Sequence, residues 1–275
     1  FMNRTGKFMY SICGPINGNV FLRREQFRIA DNESKSLEIA KTMITGKIFN
    51  SRYSIERTLR DHALRIDTET FEEKSSFLLN AAKNCKNISS KDTLRGIEGE
   101  AASVYFSVFD NMILQQKSEF TFNTRNKRPP LDKVNALLSF SYSMMAGICT
   151  SALYAVGLDP FVGFMHTDRP GRRSLSLDLE EEFRAVICDR FVLNLINKKQ
   201  ISSSDFEQRE DGAVLLNEKG RKVFLSAWQN YKMEQISHPF LKEKVQRGLL
   251  PYVQALLLSR YIRGDLDCYP VFLWK

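Results

Sequence analysis

The chain has 275 residues, with 40 Lys and Arg against 32 Asp and Glu, so its formal net charge is +8. That balance favours polyanionic partners, and this length can bury one substantial core. The five cysteines form no CxxC pair and are odd in number, which argues against a disulfide framework and indicates reduced thiols in a cytoplasmic protein. There is no Walker loop and no GxGxxG motif, so the common nucleotide-binding loops are excluded.

The first twelve residues of the chain have the pattern of short β-strands. FMNRTGKFMYSI predicts two short strands around Thr5-Gly6, and a Gly14-Pro15 turn follows. A lone hairpin is marginal in water, so these strands need another element to pair with.

The remainder repeats apolar residues at helical intervals, which predicts a mainly α fold with a single helical domain. The charged segment from Leu22 to His62 is predicted as one long helix or two. Further helices are predicted at roughly 68–86, 91–117, 130–157, 178–199, 218–236 and 243–263. The clearest loop begins at Gln200, with a short β-pair predicted around Phe206 and Val214–Leu216.

One predicted helix raises the question of a membrane. Val134 to Leu158 is 25 residues long without a formal charge, which is enough to span a bilayer. The segment nevertheless carries Asn135, Ser139 and Thr150, and no other segment resembles it. We therefore expect a buried helix inside a helical domain and no membrane association.

The run GFMHTDRPGRRSLSLDLEEEFR, residues 163–184, places a histidine near several carboxylates. If a helix opens at SLDLEEEFR, Asp178, Glu181 and Glu182 share one face, whereas Glu180 points about 100° away from Asp178. A Pro170-Gly171 turn allows the loop to fold His166 back over the start of that helix.

A second predicted helix supplies another acid. RGIEGEAASVYF carries Glu98 after Gly96, a glycine that lets backbones approach closely. Carboxylate oxygens and one imidazole suit Mn²⁺ or Mg²⁺ better than zinc. The spacing alone leaves a structural interpretation open, because acids in a first turn also complement the helix dipole and a single histidine is often a packed or surface residue.

Four motifs in order carry a resemblance to a known family. They are GIEGxxAxxYF, RPPLDKVNALLSFSYS, GLDPFVGFMH and GRRSLSLDLEEEFR. Together they resemble the catalytic subunit of the CRISPR spacer-acquisition complex, a metal-dependent DNA endonuclease and integrase. The resemblance runs from GNVFLRR to the closing GDLDCYPVFLWK, and the two ends look most like the type I-C form.

The resemblance implies roles for particular residues. It implies a catalytic metal site in which Glu98, His166 and Glu181 bind Mn²⁺ or Mg²⁺, with Asp178 as an acidic catalytic position beside the metal. The family's DLxE pattern ends on Glu181, which distinguishes that residue from Glu182. Position 180 is usually apolar in the family, so Glu180 either alters metal affinity or is a solvated charge.

The basic residues around these motifs are candidate DNA contacts. Arginines bind phosphates in a forked geometry, although any one of them is equally compatible with a solvated loop. Tyr105 lies two helical turns after Glu98, where it approaches the site or packs in the core. The candidate set is Arg125, Arg128, Arg169, Arg172, Arg173, Arg184 and Tyr105.

Two other histidines are given different roles. His62 lies on a charged helix and is predicted as a surface or interhelical residue, and His238, before Pro239, is predicted to make local hydrogen bonds.

The resemblance also implies domains, partners and a reaction. Members begin with a separate β-rich domain, so we interpret residues 1–22 as its remnant and residues 23–275 as the helical catalytic domain. They act as homodimers with a small CRISPR-associated companion subunit on double-stranded DNA, both prespacer and repeat-leader. A DNA 3′-hydroxyl attacks a phosphodiester to insert a spacer. The alternative is a catalytically silent DNA-binding or scaffold fragment of the same complex.

Overall fold

The structure is a computed structural model that describes residues 20–274. The predicted strands around Thr5-Gly6 lie outside the described residues. Helix α1 already begins at Val20, so residues 20–22 are helical and belong with the helical domain rather than with a β remnant. The mainly α fold is confirmed over the described residues.

Two helices, not one, form the charged N-terminal segment. They are α1 (Val20–Asp31) and α2 (Glu33–His62). The break falls at Asn32, whose extended backbone ends α1 and whose side chain accepts a hydrogen bond of 2.9 Å from the Lys35 backbone N–H. An asparagine at this position caps the second helix, which explains why the segment divides there.

Helices α3 (Thr68–Asn84) and α4 (Lys91–Ser107) pack against α2, and each begins at a side-chain cap, Asp67 and Ser90 respectively. Helix α4 is ten residues shorter than predicted, so the expectation of a helix to residue 117 is wrong. The reason is aromatic packing, because Phe109 and Phe122 lie 5.0 Å apart between ring centroids in the following loop. Their apolarity reflects a buried loop, not a helix.

Helix α5 (Lys133–Ala155) is the long apolar helix of the sequence. Among residues 20–274 it is the one helix long and apolar enough to cross a membrane, and 56% of its most apolar window is buried inside the protein. It packs against α6 (Ser174–Glu180) and α9 (Leu250–Ile262). The predicted buried helix is therefore confirmed.

The segment predicted as one helix over 178–199 is divided into three parts. Helix α6 starts four residues earlier and ends at Glu180, a π-helical turn spans Arg184–Asp189, and α7 covers Arg190–Asn197. The predicted helix start at Asp178 is wrong, because Ser174 begins the helix as soon as the preceding loop ends.

Two small antiparallel hairpins complete the fold. Strands β1 (Phe206–Gln208) and β2 (Val214–Leu216) pair as predicted, with Phe206 opposite Leu216. Helix α8 (Glu218–Met233) follows, and then β3 (Gln235–Ser237) pairs with β4 (Lys244–Gln246). The predicted helix over 243–263 is wrong at its start, because β4 precedes α9.

The last described residues run back across α2. The Asn50 side chain donates hydrogen bonds of 2.8 Å to the carbonyls of Glu182 and Phe272 and accepts one of 2.9 Å from the Trp274 backbone N–H. One buried amide therefore ties α2, the turn after α6 and the C-terminal segment together. This contact fixes the position of the glutamates beside α2.

Candidate functional site

Asp178 fixes the loop that carries His166. The buried carboxylate accepts hydrogen bonds from the backbone N–H groups of Phe164 (2.6 Å), Met165 (3.0 Å) and His166 (2.9 Å), and lies 2.6 Å from His166 Nδ1. An Nδ1–H that donates to Asp178 leaves the lone pair on Nε2. Asp178 therefore orients the imidazole, and its own oxygens are already used.

Gly163 makes this close approach possible. A Cβ at residue 163 would lie 2.7 Å from Ser174 Cβ and 2.8 Å from Asp178 Oδ2, so a side chain there clashes with α6. The loop is also tied to α4, because Arg95 donates to the Met165 carbonyl (3.3 Å) and to Thr167 Oγ1 (3.2 Å). Helix α4, which carries Glu98, is thereby held against the His166 loop.

Two of the predicted acids converge on one cationic group. The ammonium of Lys47, on α2, forms ion pairs with Glu98 on α4 and with Glu181, whose Oε2 is 2.7 Å away. The guanidinium of Arg184 contacts the other oxygen of Glu181 at 2.8 Å. Glu98 and Glu181, 83 residues apart in the chain, thus share a single positive charge.

Glu181 and Lys47 both keep their charge although burial disfavours the charged form of each. Burial raises the pKa of Glu181, but Arg184 and Lys47 outweigh it and lower that pKa to about 2. Burial lowers the pKa of Lys47, and Glu181 and Glu98 outweigh it, so that the pKa is raised. Glu181 is therefore a carboxylate and Lys47 an ammonium at neutral pH.

The carboxylates of Glu98 and Glu181 have the chemistry that a hard cation prefers, and one Glu181 oxygen is placed to face a cation. Glu181 Oε2 is buried and makes no hydrogen bond, and the same oxygen is 2.7 Å from Lys47 Nζ, so it faces a cation without the geometry of a hydrogen bond. Within residues 20–274 no three His, Cys, Asp or Glu side chains are grouped closely enough to hold a metal together. The two carboxylates meet at Lys47 instead, and His166 is held separately by Asp178.

The neighbours of Glu181 point elsewhere. Glu180 is buried and pairs with Arg184 at 3.3 Å, so the interpretation of Glu180 as a solvated charge is wrong. Glu182 enters the core, where it accepts hydrogen bonds of 2.8 Å from Gln254 Nε2 and from the Phe272 backbone N–H. Helical spacing grouped Glu181 with Glu182, but the helix ends at Glu180 and the two side chains diverge.

A cavity of about 500 Å³ opens beside the cluster. Its walls include Lys47, Glu98, Arg125, Arg184 and Asp189. The guanidinium groups of Arg125 and Arg184 lie 5.2 and 5.0 Å from the ring centroid of Tyr142. Cations stacked on an aromatic ring in a concave site suit an anionic ligand.

Asp189 is the acid at the floor of this cavity. It accepts hydrogen bonds from the hydroxyls of Tyr105 (3.1 Å) and Tyr142 (2.5 Å). Burial raises the pKa of Asp189 to about 6, against these hydrogen bonds and the nearby arginines. Tyr105 is therefore a core residue whose hydroxyl is committed to Asp189.

The π-helical turn explains how Arg184 and Asp189 reach the same cavity. Within it the Cys188 backbone N–H donates to the Phe183 carbonyl, five residues earlier, at 3.2 Å. Residues five apart lie one above another in such a turn, whereas they diverge in an α-helix. The wider turn is thus what aims both side chains at the cavity.

The other candidate DNA contacts lie at the surface. Arg128 and Arg169 are exposed, whereas Arg172 and Arg173 are half-buried in the His166 loop. Arg125 differs from them, because it donates to Asn135 Oδ1 (2.7 Å) and Ser139 Oγ (3.1 Å) while it lines the cavity. The structure thus brings Arg125 and Arg184 to one cavity and leaves the remaining four arginines on loops.

The glycine before Glu98 has a different role from the one predicted. Apart from its chain neighbours and the backbone of its own helix, no described atom lies within 4 Å of a Cβ built on Gly96, so the expected close approach of another backbone is wrong. The histidine predictions are confirmed. His62 is exposed, and His238 Nδ1 accepts hydrogen bonds from the Phe240 and Leu241 backbone N–H groups.

Sequence reasoning missed Lys47 and Asp189. A signal exists for both, because each is a charged residue within an apolar pattern, Asp189 at a buried position and Lys47 at a largely covered one. Lys47 follows Met43 and Ile44 on the buried face of α2, and Asp189 interrupts the apolar run AVICDRFVL. Such buried charges mark partners that are distant in sequence.

Comparison with known families decides the identity of this fold. The family model described as CRISPR associated protein Cas1 matches residues 1–230. The chain belongs to the Cas1 family. The resemblance drawn from the motifs is thereby confirmed at the level of the family.

Curated Cas1 relatives cover the whole chain. A protein of Chlorobaculum tepidum named CRISPR-associated endonuclease Cas1 1 is 47% identical over 275 residues, which are all of this chain and 80% of that protein. A Rhodospirillum rubrum protein named CRISPR-associated endonuclease Cas1 2 is 45% identical, and the match covers 100% of this chain and 80% of that protein. A Leptospira interrogans Cas1 endonuclease is 42% identical over 92% of this chain and 100% of its own length.

Solved structures show the same fold. A casposase bound to integration product has a TM-score of 0.82 at 24% identity, with 98% of this chain and 73% of that chain covered. A Cas1 protein from Thermotoga maritima has a TM-score of 0.79 at 25% identity over 96% of this chain and 77% of its own.

Proposed function

We propose that this Cas1 chain is a metal-dependent DNA endonuclease and integrase that inserts spacers into a CRISPR array by phosphoryl transfer. The observation that carries the proposal is the convergence of Glu98 and Glu181 on one cationic position, and Asp178 anchors His166 on the neighbouring loop. The curated relatives, named as CRISPR-associated endonucleases, support the same activity.

Glu98, His166 and Glu181 would hold Mn²⁺ or Mg²⁺. A bound divalent ion would supply Lewis-acid polarisation of the scissile phosphate. Glu181 arrives at this position ionised, since Arg184 and Lys47 lower its pKa to about 2 against its burial. Asp178 acts through His166, because its contact with His166 Nδ1 keeps the Nε2 lone pair free.

The cavity residues would handle the DNA. Arg184 and Arg125 place two guanidinium groups where they offset negative charge on the phosphate oxygens. The attacking 3′-hydroxyl forms the new phosphodiester bond, and the displaced strand leaves with the former 3′-oxygen. Water in the place of the hydroxyl gives cleavage instead of joining.

The exposed arginines would extend this contact along the duplex. Arg128 and Arg169 present their side chains to solvent, and Arg172 and Arg173 lie on the loop that carries His166. Arginines on loops bind phosphates without reading sequence. We therefore assign to them a role in positioning double-stranded DNA, both prespacer and repeat-leader.

A companion subunit and a second copy of the chain complete the proposed assembly. Two solved structures with the same fold, a Cas6-RT-Cas1–Cas2 complex and its partial form, match this chain with TM-scores of 0.80 and 0.79. This likeness supports a small CRISPR-associated partner for this chain, and we propose a homodimer bridged by that partner.

The test compares two adjacent buried glutamates. Glu181→Gln removes a proposed metal ligand without changing shape, and Glu182→Gln is the matched control in the core. We expect Glu181→Gln to lower Mn²⁺-dependent joining of a short duplex into a supercoiled repeat plasmid by roughly a hundredfold or more, with the companion subunit present. Glu182→Gln is expected to stay within about threefold of the wild type.

The opposite pattern would reject the proposal. Joining by Glu181→Gln at the wild-type rate would show that this carboxylate is not a ligand. DNA binding that is indifferent to Mn²⁺, with no joining by any form, would favour a silent DNA-binding or scaffold role.

A further inference from the structure

Lys47 occupies the position between the two proposed ligand carboxylates. Its ammonium pairs with Glu98 and lies 2.7 Å from Glu181 Oε2, and its side chain is 13% exposed. A metal ion held by the same two carboxylates would need this space. The lysine and the metal are therefore competitors for one pair of acids.

The charge balance shows why such a lysine is useful. Without a metal and without Lys47, Glu98 and Glu181 would repel each other beside the buried Glu180, since Arg184 is already paired with Glu180 and Glu181. Buried like charges without a counter-ion destabilise a fold, because water no longer screens them. Lys47 supplies that counter-ion from within the chain.

Lys47 also has a place to go. It lines the cavity of about 500 Å³ together with Arg125 and Arg184. A lysine is a point charge on a flexible four-carbon stem, so rotation of its side chain moves the ammonium into the cavity while the backbone of α2 stays fixed.

We propose that Lys47 is an internal stand-in for the metal, which holds the two carboxylates together in the metal-free site and turns to a DNA phosphate when the metal displaces it. This inference rests on the proposed function. It assigns Lys47 two roles with opposite effects, since the lysine opposes metal binding and assists the bound DNA. A residue with a purely structural role would not separate these effects.

The first measurement is the Mn²⁺ affinity, which is determined from the electron paramagnetic resonance signal of the free ion. Lys47→Met removes the charge and keeps the length of the side chain, and Lys47→Gln keeps a polar end in case the methionine variant misfolds. The matched control is Lys127→Met, which removes a cation from the same cavity wall but not from between the carboxylates. Glu181→Gln reports whether the site itself binds Mn²⁺.

We expect Lys47→Met and Lys47→Gln to bind Mn²⁺ about tenfold more tightly than the wild type, because the site no longer spends most of its time closed by the lysine. Lys127→Met is expected to change the affinity by less than about twofold. Equal gains in the Lys47 and Lys127 variants would overturn the inference and leave the proposed function intact. Equal affinity in the wild type and Glu181→Gln would overturn the proposed function itself.

The second measurement is single-turnover joining at saturating Mn²⁺. We expect Lys47→Met to join DNA about tenfold or more slowly than the wild type, although it binds the metal more tightly. A rate equal to that of the wild type would overturn the contact between Lys47 and the phosphate. Weaker metal binding together with slower joining would show that Lys47 merely supports the fold.

Discussion

Glu180, Glu181 and Glu182 are adjacent and all buried, yet each carboxylate has different partners. Glu180 pairs with Arg184, and Glu181 is shared between Arg184 and Lys47. Glu182 accepts hydrogen bonds from neutral donors, namely Gln254, Tyr269 and the Phe272 backbone. The chemistry of each residue therefore follows from its partners and not from its place in the acidic run.

Glu182 makes stability depend on pH. Burial raises its pKa from 4.5 to about 7, against its hydrogen bonds. The folded state therefore binds the proton more tightly than the unfolded state, so this group favours folding fully below pH 4.5, and that contribution is lost as the pH rises through about 7.

Glu182→Gln removes this dependence. The glutamine oxygen accepts the hydrogen bonds from Gln254 and Phe272, and its NH₂ group donates to the Tyr269 hydroxyl. We expect its free energy of unfolding to exceed that of the wild type by roughly 3 kcal/mol at pH 8 and by little at pH 4.5. Urea denaturation across this range measures the difference. A constant difference at every pH would contradict the shifted pKa.

Asp178 gives a second prediction at the residue scale. In the wild type, three backbone N–H groups of the loop 164–166 donate to the Asp178 carboxylate. Asp178→Asn replaces one carboxylate oxygen by an NH₂ group, which cannot accept, so the loop loses hydrogen bonds. We expect Mn²⁺ affinity to fall by about 10–100-fold and the amides of this loop to exchange faster with deuterium. Unchanged exchange at residues 164–166 would contradict the anchoring role.

At the scale of elements, the site depends on how closely the 163–173 loop approaches α6. Gly163 and Gly96 are both followed by proposed ligands, but they differ in their surroundings. A Cβ on Gly163 would meet Ser174 and Asp178, whereas a Cβ on Gly96 would meet no described atom within 4 Å outside its own helix backbone and chain neighbours. One glycine is required by close packing, and the other lies in an open helix.

This contrast predicts opposite effects on stability. Gly163→Ala is expected to lower the free energy of unfolding by about 1–3 kcal/mol, because Ser174 and the α6 backbone must shift. Gly96→Ala is expected to raise it by about 0.5–1 kcal/mol, because alanine favours a helix. Chemical denaturation of the two variants checks both signs. Equal effects would contradict the packing described for Gly163.

How far the sequence predicts these elements depends on the range of the contacts. Helix α5 and the β1–β2 hairpin follow local patterns, and both were predictable. The π-helical turn and the end of α4 were not, because long-range packing decides them. Lys47 shows the limit most clearly, since its partners Glu98 and Glu181 are 51 and 134 residues away.

At the scale of the whole molecule, excess positive charge and the acid cluster occur together. The full sequence has a net charge of +8, and Lys47 and Arg184 neutralise the acids of the site from within the chain. On the proposed function, this neutralisation would reduce the repulsion between the glutamates and DNA phosphates.

Salt dependence tests the arginine surface. Arg128→Ala and Arg169→Ala each remove one exposed cation, so we expect each to weaken duplex binding regardless of sequence and to reduce the slope of log K against log salt by about 1. Arg260→Ala, an exposed arginine on α9 outside the candidate set, is the matched control. Equal slopes in all three variants would remove these arginines from the DNA surface.

The most direct test of the metal site is anomalous diffraction from crystals grown with MnCl₂. We expect one manganese peak bound by Glu98, Glu181 and His166 Nε2, with the Lys47 ammonium displaced into the cavity and Asp178 still on His166 Nδ1. Lys47 still paired with both glutamates, and no manganese beside His166, would contradict the assignment of this cluster as the catalytic metal site.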